Sequence, residues 1–260
     1  MSDFEPEGAL VSTTPALKPS PIILRSSLLS THIQSVTLVD LSESHSKALY
    51  PLIGGPEAAH LYRYMSVGPF YDFEPFHEKN IKFLVNSGLC FPFAIFKDPE
   101  SQSFSVPLKD GEVRGSPIGT IGLLNIVPSN RSIEIGVVMF SQLLQRTTAA
   151  TETFYLLMKH CFEDLGYRRV EWKTNDLNEA SKRAAVRLGF VPEGVFRKHM
   201  IVKGRNRDSA WFSVVDDEWV GGVKHALEEW LEKSNFDENG QQVRKLEDIR
   251  ASLATQGGKK

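Results

Sequence analysis

The sequence predicts an α+β fold within a single domain. Three strand-like runs, "CFPFAIF", "PIGTIGLLNIV" and "RSIEIGVVMF", follow one another with only loops or turns between them, which is typical of an antiparallel meander. The order then changes to a helix, the strand "RRVEWKTN", a second helix, and two strand-like runs around the turn "KGRNRD". Residues 31–220 contain no repeat and no linker that would divide this arrangement.

The elements before the meander are short. Residues 1–30 mix Pro, Ser and Thr without sustained periodicity, which predicts a mostly disordered leader whose Ile22-Ile23-Leu24 can still dock on the domain. The run "IQSVTLVDL" predicts a strand. Three helices are predicted next, from "SESHSKALYPLI", "PEAAHLYRYM" and "EPFHEKNIKFLVNSG", the last ending at Gly88.

The elements after the meander have clearer boundaries. An apolar stripe predicts a helix over about residues 148–164 with a stop at Gly166, and a second helix is predicted over 179–188. The runs "GVFRKHMIV" and "SAWFSVVDDEW" predict a hairpin. Residues 221–260 predict a terminal helix followed by a loosely held polar tail.

Composition indicates an ordinary soluble protein. Thirty basic and 32 acidic side chains leave almost no net charge, so no nucleic-acid partner is expected. The sequence has no run of about 20 apolar residues, so no membrane span is predicted. The acidic start "MSDFEPEG" does not resemble a signal peptide, so a cytoplasmic location is expected. Cys90, Cys161 and His199 have no partner at metal-ligand spacing, so we expect buried reduced thiols and no metal.

A strand leads through a tight loop into a helix at residues 134–157. The loop Gln145-Arg146-Thr147-Thr148-Ala149-Ala150 has small side chains at the expected helix start, which would leave the unpaired backbone N–H groups accessible to phosphate beside the charge of Arg146. An ordinary threonine cap gives the same pattern. Both readings stay open from the residues alone.

Two further groups of residues carry side chains that can take part in a reaction. Asn178 is a plausible N-cap with Ser181 three residues later, so both side chains lie at the start of one helix. Glu134 is the only carboxylate in an otherwise apolar strand, on the face it shares with Gly136 and Val138 and opposite Ile133, Ile135 and Val137. A capping pair and a solvated strand edge are the ordinary interpretations of these residues.

Residues 117–219 resemble the GNAT superfamily of acetyl-CoA-dependent acetyltransferases, in the branch similar to the ribosomal-protein alanine N-acetyltransferases. The resemblance rests on "IEIGVVMFSQLLQRTTAATE", "LGYRRVEWKTNDLNEASKRAAVRLGFVPEG" and "FRKHMIVKGRNRDSAWFSVVDDEW", in the family's order and spacing. It implies a mixed, mostly antiparallel central sheet flanked by helices. The family's loop Q/R-x-x-G-x-G/A matches residues 145–150, with Ala150 inside the pattern and Thr148 where the first glycine is usual.

The resemblance also implies site roles. CoA is expected along residues 138–151, with its pyrophosphate at Gln145, Arg146, Thr147, Thr148, Ala149 and Ala150, and Thr151 at the end of the segment. Asn178 is expected to contact CoA, Ser181 to protonate the leaving thiolate, and Glu134 to act as general base for the amine. A backbone N–H around Val138 is expected to stabilise the oxyanion.

The predicted function is acetyl transfer from acetyl-CoA, as co-substrate, to a primary amine by direct attack and without a metal. The alternative is a non-catalytic CoA-binding sensor or interaction module, which would need only the 145–150 loop, whereas an enzyme needs Glu134 and Ser181 in one cleft. Protein N-termini and small-molecule amines are equally compatible acceptors. The protein is expected to be a monomer or homodimer with no membrane partner.

Overall fold

A computed structural model describes residues 8–9, 11–25, 35–97, 113 and 115–257 of the protein. Its strands form one eight-stranded sheet in the order β1-β2-β3-β4-β5-β6-β8-β7. All neighbouring strands are antiparallel except β5 and β6, which are parallel, so the predicted α+β fold with a mostly antiparallel sheet is confirmed. The strands are β1 Ile23–Arg25, β2 Val36–Asp40, β3 Cys90–Lys97, β4 Pro117–Val127, β5 Ser132–Phe140, β6 Arg169–Asn175, β7 Val191–Val202 and β8 Arg205–Val215.

Helices cover both faces of this sheet. One core places α4, α5, α7 and α8 against residues such as Ile121 and Ile133, and the other places α1 and the 73–86 helical segment against Ala94 and Phe96. The helices are α1 Ser46–Ile53, α2 Phe73–Phe76, α3 Lys82–Asn86, α4 Thr148–Lys159, α5 Glu179–Leu188, α6 Asp216–Glu218, α7 Lys224–Trp230 and α8 Leu246–Gly257. Short 3₁₀ helices lie at Glu43–His45, Ala59–Tyr62 and Lys233–Asn235, and π turns lie at His77–Ile81, His160–Asp164 and Trp219–Val223.

Strand β5 contains a bulge that reverses which side chains face each core. Gly122 pairs with Gly136 and Thr120 with Met139, so two residues of β5 oppose one of β4, and Val137 has a φ of 47°. A methyl group on Gly122 would lie 2.7 Å from the Cγ2 atom of Val137, so this glycine makes room for the bulge. The sequence prediction that Val137 shares the face of Ile133 and Ile135 is therefore wrong, because Val138 packs on that side instead.

Strand β5 also separates from its parallel neighbour β6. Strands β5 and β6 pair only from Ser132 with Arg169 to Glu134 with Glu171. Beyond these residues the two strands have no paired positions, although β6 stays paired with β8 along its whole length. The sheet therefore opens into a cleft at its centre.

The described parts of the two terminal segments pack on the domain: the docking expected for Ile22-Ile23-Leu24 is present, whereas the tail is held more firmly than the sequence predicted. Part of the leader 1–30 lies outside the described residues, but Ile23–Arg25 pairs with β2, and the N–H groups of Ala16 and Leu17 donate to the carbonyls of Pro128 and Leu165. In the tail, α8 buries Leu246 and Ile249 in the main core. Apolar side chains hold both segments although their surroundings in sequence are polar.

Three other elements differ from the sequence prediction in length or boundary. The helix expected in "PEAAHLYRYM" is a single 3₁₀ turn, because the buried ring of Tyr62 and its hydroxyl bond to the Ile53 carbonyl fix the chain locally. The hairpin turn is only Lys203-Gly204, with φ values of 50° and 70° that favour a tight two-residue turn. Strand β8 ends at Val215, so the last residues of the predicted strand begin helix α6.

Candidate functional site

The opened part of the sheet forms a cleft of about 1670 Å³. Its floor is β5 and β6 beyond their last paired residues, and its sides are the 145–148 loop, α4 and α5. One end is bounded by residues 60–66 and the β7–β8 hairpin, and the other by the C-terminal segment around residues 230–242. Every predicted site residue lines this cleft except Ala149; those that line it are Glu134, Val138, Gln145, Arg146, Thr147, Thr148, Ala150, Thr151, Asn178 and Ser181.

The start of α4 faces the cleft. Thr147 is its N-cap in extended conformation, and its Oγ1 accepts a hydrogen bond from the Ala150 N–H at 3.3 Å while donating to the Leu144 carbonyl at 2.7 Å. Arg146 has a φ of 60°, which turns the chain into the helix. The remaining N–H groups of this first turn lie under small side chains, so the capping interpretation holds and the helix start is also open to an anion.

Ala149 does not belong to the cleft surface. Its side chain is 1% exposed and packs in the main core beneath α4, whereas Ala150 faces the cleft. The side chain of Ala149 is therefore not available to a phosphate, and only its backbone N–H can serve the role predicted for this residue. Successive helix residues point about 100° apart, so only one of the two alanines can face outward.

The start of α5 positions Ser181. Asn178 caps the helix, because its Oδ1 accepts a hydrogen bond from the Ser181 N–H at 3.2 Å. The indole N–H of Trp172 donates to the Ser181 Oγ at 3.0 Å. Since an indole nitrogen can only donate, Ser181 must accept this bond, which leaves its own O–H proton available to another acceptor.

Glu134 is buried within a polar network, with 5% of its surface exposed. Its Oε2 accepts a hydrogen bond from Asn125 Nδ2 at 2.6 Å and forms an ion pair with Lys173 Nζ at 2.9 Å. Both contacts involve the same oxygen, so neither occupies Oε1. The side chain is not a solvated strand-edge carboxylate, because β5 is a central strand.

Lys173 connects Glu134 to a second carboxylate and an aromatic ring. Its Nζ lies 2.9 Å from Glu171 Oε2 and 3.9 Å from the centre of the Trp211 ring. Burial acts to raise the pKa of Glu171, but hydrogen bonds from Arg169 and Lys173 outweigh it and hold that pKa below its usual range. Lys173 was not predicted as a site residue. Its indication in the sequence is that Glu171 and Lys173 lie two residues apart, on one face of a strand whose other face is mostly apolar.

His199 lies at the hairpin end of the cleft. Its Nδ1 is 2.9 Å from Ser209 Oγ, and its ring packs edge-on against Trp211. Arg207 also contacts Ser209, and burial lowers the pKa of its guanidinium while the charge of Glu134 acts in the opposite direction. This end of the cleft therefore combines cationic and aromatic side chains.

Two negative findings apply to the residues that the structure describes. They bring together no group of three or more His, Cys, Asp or Glu side chains that could hold a metal ion. No helix among them has the length and apolar character needed to cross a bilayer.

Comparisons with known proteins agree with this architecture. Residues 36–191 match the family model described as "Acetyltransferase (GNAT) domain". A crystal structure of a GCN5-related N-acetyltransferase from Brucella melitensis is 35% identical, with a TM-score of 0.80 over 92% of this chain and 98% of that one. A probable acetyltransferase from Chromobacterium violaceum is 32% identical, with a TM-score of 0.68 over 85% of this chain and 100% of that one.

A curated relative gives a partial match. The putative ribosomal N-acetyltransferase YdaF of Bacillus subtilis is 32% identical over 107 residues, which are 41% of this chain and 58% of the relative. The chain thus spans little more than half the length of that relative. The matched family model covers more than half of the chain and includes the cleft strands, the α4 start and α5. The chain belongs to the GNAT acetyltransferase family.

Proposed function

We propose that the protein transfers the acetyl group of acetyl-CoA to a primary amine, with Glu134 as general base and Ser181 as the proton donor to the leaving thiolate. The observation that supports this proposal is that both side chains line one cleft, at the point where β5 and β6 separate. A sensor or interaction module would need only the loop at residues 145–150. The proposal therefore extends beyond CoA binding to chemistry.

The residues present fit acetyl-CoA, which supplies the activated acetyl group when it is bound. The start of α4 offers unpaired N–H groups and a positive helix end for the pyrophosphate, next to Arg146. Gln145 donates from Nε2 to the Phe140 carbonyl at 2.7 Å and so fixes the loop to the end of β5. The backbone of β5 around Val138 is not paired with β6 and offers N–H donors for a developing oxyanion.

Glu134 is the proposed base for the proton that the acceptor amine must lose. An alkyl ammonium has a pKa of about 10.4 and an α-ammonium about 8, so an amine needs to lose a proton before it can attack a thioester. The carboxylate of Glu134 and the face of the Trp211 ring already hold one ammonium group, that of Lys173. The same two features suit a cationic acceptor arriving in the cleft.

Ser181 is suited to the second proton transfer. When the amine nitrogen bonds to the acetyl carbon and the carbon–sulfur bond breaks, the departing thiolate takes a proton. The Ser181 hydroxyl has its oxygen occupied by the Trp172 N–H and its proton available. Asn178 fixes the backbone from which Ser181 projects.

The acceptor belongs to one of two classes, a protein N-terminus or a small-molecule amine. The name of the YdaF relative refers to ribosomal acetylation, which favours including ribosomal-protein N-terminal peptides among the candidates. The acceptor end of the cleft is lined by Tyr64, His199 and Trp211, which can pack against either class.

The test is a release assay for free CoA against N-terminal peptides and small primary amines, with mass spectrometry of the product. We expect acetylation of a primary amine with a mass increase of one acetyl group. Calorimetry with CoA is run in parallel. Tight CoA binding without transfer to any amine would contradict the enzymatic proposal and favour the sensor.

A further inference from the structure

The C-terminal segment at residues 230–242, here called the C-terminal wall, closes one end of the cleft although it lies outside the residues matched by the family model. It stands beside the first turn of α4 and the last turn of α5. The following helix α8 is tied to the end of α5, because Arg250 donates to the carbonyls of Val186 and Arg187. The GNAT domain and the C-terminal wall thus build this end of the cleft together.

Arg187 lies where these three elements meet. Its Nη1 donates to Thr151 Oγ1 in the first turn of α4 at 3.0 Å, and its guanidinium carbon lies 4.8 Å from the centre of the Trp230 ring. Stacking on the ring and the hydrogen bond to threonine fix the plane of the guanidinium. Only one of its five N–H donors is used by Thr151, so the others remain available toward the cleft.

The charge of Arg187 is not neutralised by an ion pair within the described part of the chain. Burial is the main cause that lowers its pKa, with Glu247 acting in the opposite direction, but an arginine stays charged at neutral pH. Gln242 adds a donor nearby. Its Oε1 accepts from the Trp230 indole N–H at 2.9 Å, and its amide nitrogen forms no hydrogen bond within the described residues. A fixed, half-buried cation beside amide donors is suited to a phosphate.

We propose that Arg187 binds the 3′-phosphate of CoA, and that the C-terminal wall thereby selects CoA over dephospho-CoA. The inference rests on the proposed use of acetyl-CoA. CoA has two separate phosphate-bearing groups, and its pyrophosphate is assigned to the start of α4. Arg187 lies beyond Thr151 on the side of the C-terminal wall, so it meets the remaining group, a phosphomonoester with close to two negative charges.

Calorimetry with CoA and dephospho-CoA tests this assignment, because the two ligands differ only in the 3′-phosphate. We expect the wild-type protein to bind CoA about 10- to 100-fold more tightly, the effect of charge-assisted hydrogen bonds to one phosphate. Arg187→Gln should abolish this preference by weakening CoA binding while leaving dephospho-CoA affinity unchanged. Thermal melting of the variant establishes that it is folded.

Arg168→Gln is the matched control, because it removes the same charge from an exposed residue outside the cleft. It should keep the wild-type preference. An Arg187→Gln variant that keeps the preference, or that weakens both ligands equally, would overturn the assignment to the 3′-phosphate. If wild-type protein binds CoA and dephospho-CoA equally, this inference alone fails, whereas absence of binding to either ligand contradicts the proposed function itself.

Discussion

Single side chains in the cleft are oriented by partners that can bond in only one direction. The indole groups of Trp172 and Trp230 can only donate, so they determine which atom of Ser181 and of Gln242 they contact. Glu134 is similarly fixed through one oxygen by Asn125 and Lys173. Because these partners sit on strands and helices of the core, the reactive atoms have defined directions before any ligand binds.

Replacing Glu134 tests the general base. Glu134→Gln should lower kcat by about 10²–10⁴-fold, the usual contribution of a positioned base, with nearly unchanged CoA affinity. The deficit should shrink as pH rises, because solvent then deprotonates the amine. Steady-state kinetics across pH with the best acceptor measures both effects.

Glu171→Gln is the matched control for this variant. Glu171 also pairs with Lys173 at 2.9 Å but does not line the cleft. It should retain most activity. Equal losses in the two variants would indicate that the charge balance around Lys173 matters and that Glu134 is not the base.

The two neighbouring alanines of α4 should respond differently to a glutamate. Ala150→Glu places a carboxylate in the cleft at a helix start, which the helix tolerates, and should weaken CoA binding about tenfold or more, equivalent to about 1.4 kcal/mol. Ala149→Glu buries a charge in the core and should prevent folding. Calorimetry and circular dichroism distinguish these outcomes, with Ala150→Gln as the neutral control; wild-type affinity in Ala150→Glu would refute the phosphate site.

Much of the site could be found from short motifs. Residues 134–151, 178 and 181 come from two continuous stretches, so local patterns and family resemblance identified them, although their roles stay predictions. Lys173, Trp172 and Arg187 were not predicted to line the cleft, because each is positioned there by a contact with another element: Glu134, Ser181 and Thr151 respectively. Which side chains meet across a sheet depends on strand register and on the bulge at Val137, and neither follows from local sequence.

Helices and strands were predicted best where periodicity and end signals agree. Helix α5 spans Glu179–Leu188 as expected, from the Asn178 cap to Gly189 with a φ of 105°. The turn at Ala59–Tyr62 was overestimated because a tertiary contact decides its length. Elements with their own capping residues are therefore more predictable than elements fixed by distant parts of the chain.

A polar bridge links three strands near the parallel pair. Arg169 of β6 donates from Nη1 to Glu193 of β7 at 2.7 Å, and Ser213 of the intervening β8 donates to the same carboxylate. Arg169 also contacts Glu171 at 2.8 Å. The hydrogen bond from Arg169 is the main cause that lowers the pKa of Glu193.

This bridge should make stability sensitive to acid. Carboxyl groups with lowered folded-state pKa values stabilise the fold above their unfolded pKa, and this stabilisation is lost as pH falls through the folded value. The wild-type melting temperature should therefore fall more between about pH 6 and pH 3 than that of Arg169→Gln. Arg168→Gln controls for net charge and should follow the wild type; parallel curves for wild type and Arg169→Gln would contradict a stabilising role.

The whole molecule extends beyond the domain expected at residues 31–220. The fold class and family were predictable, because the meander and the α4–β6–α5 order lie in continuous sequence. The packing of the tail could not be predicted, because only a few apolar residues, such as Leu246 and Ile249, anchor a mostly polar segment. Such isolated anchors are indistinguishable in sequence from scattered apolar residues of a flexible tail.

Ile249 tests whether the tail is part of the cooperative fold. Its side chain is 1% exposed, so Ile249→Ala should lower the free energy of unfolding by about 2–5 kcal/mol. Val243→Ala, at a 66% exposed position of the same segment, should change it by less than about 0.5 kcal/mol. Chemical denaturation measures both variants, and a negligible effect of Ile249→Ala would mean that the tail is only loosely attached.

The separation of β5 from β6 also bears on aggregation. Unpaired strand edges usually lie at the margin of a sheet, where another protein chain can add to them. Here the unpaired stretch of β5 lies in the middle of the sheet, between two strands of the same domain and beneath α4 and α5. Another chain could reach this stretch only by entering the cleft and not by lying along an outer edge of the sheet, so the protein keeps unused backbone donors for binding without presenting them at the margin where self-association occurs.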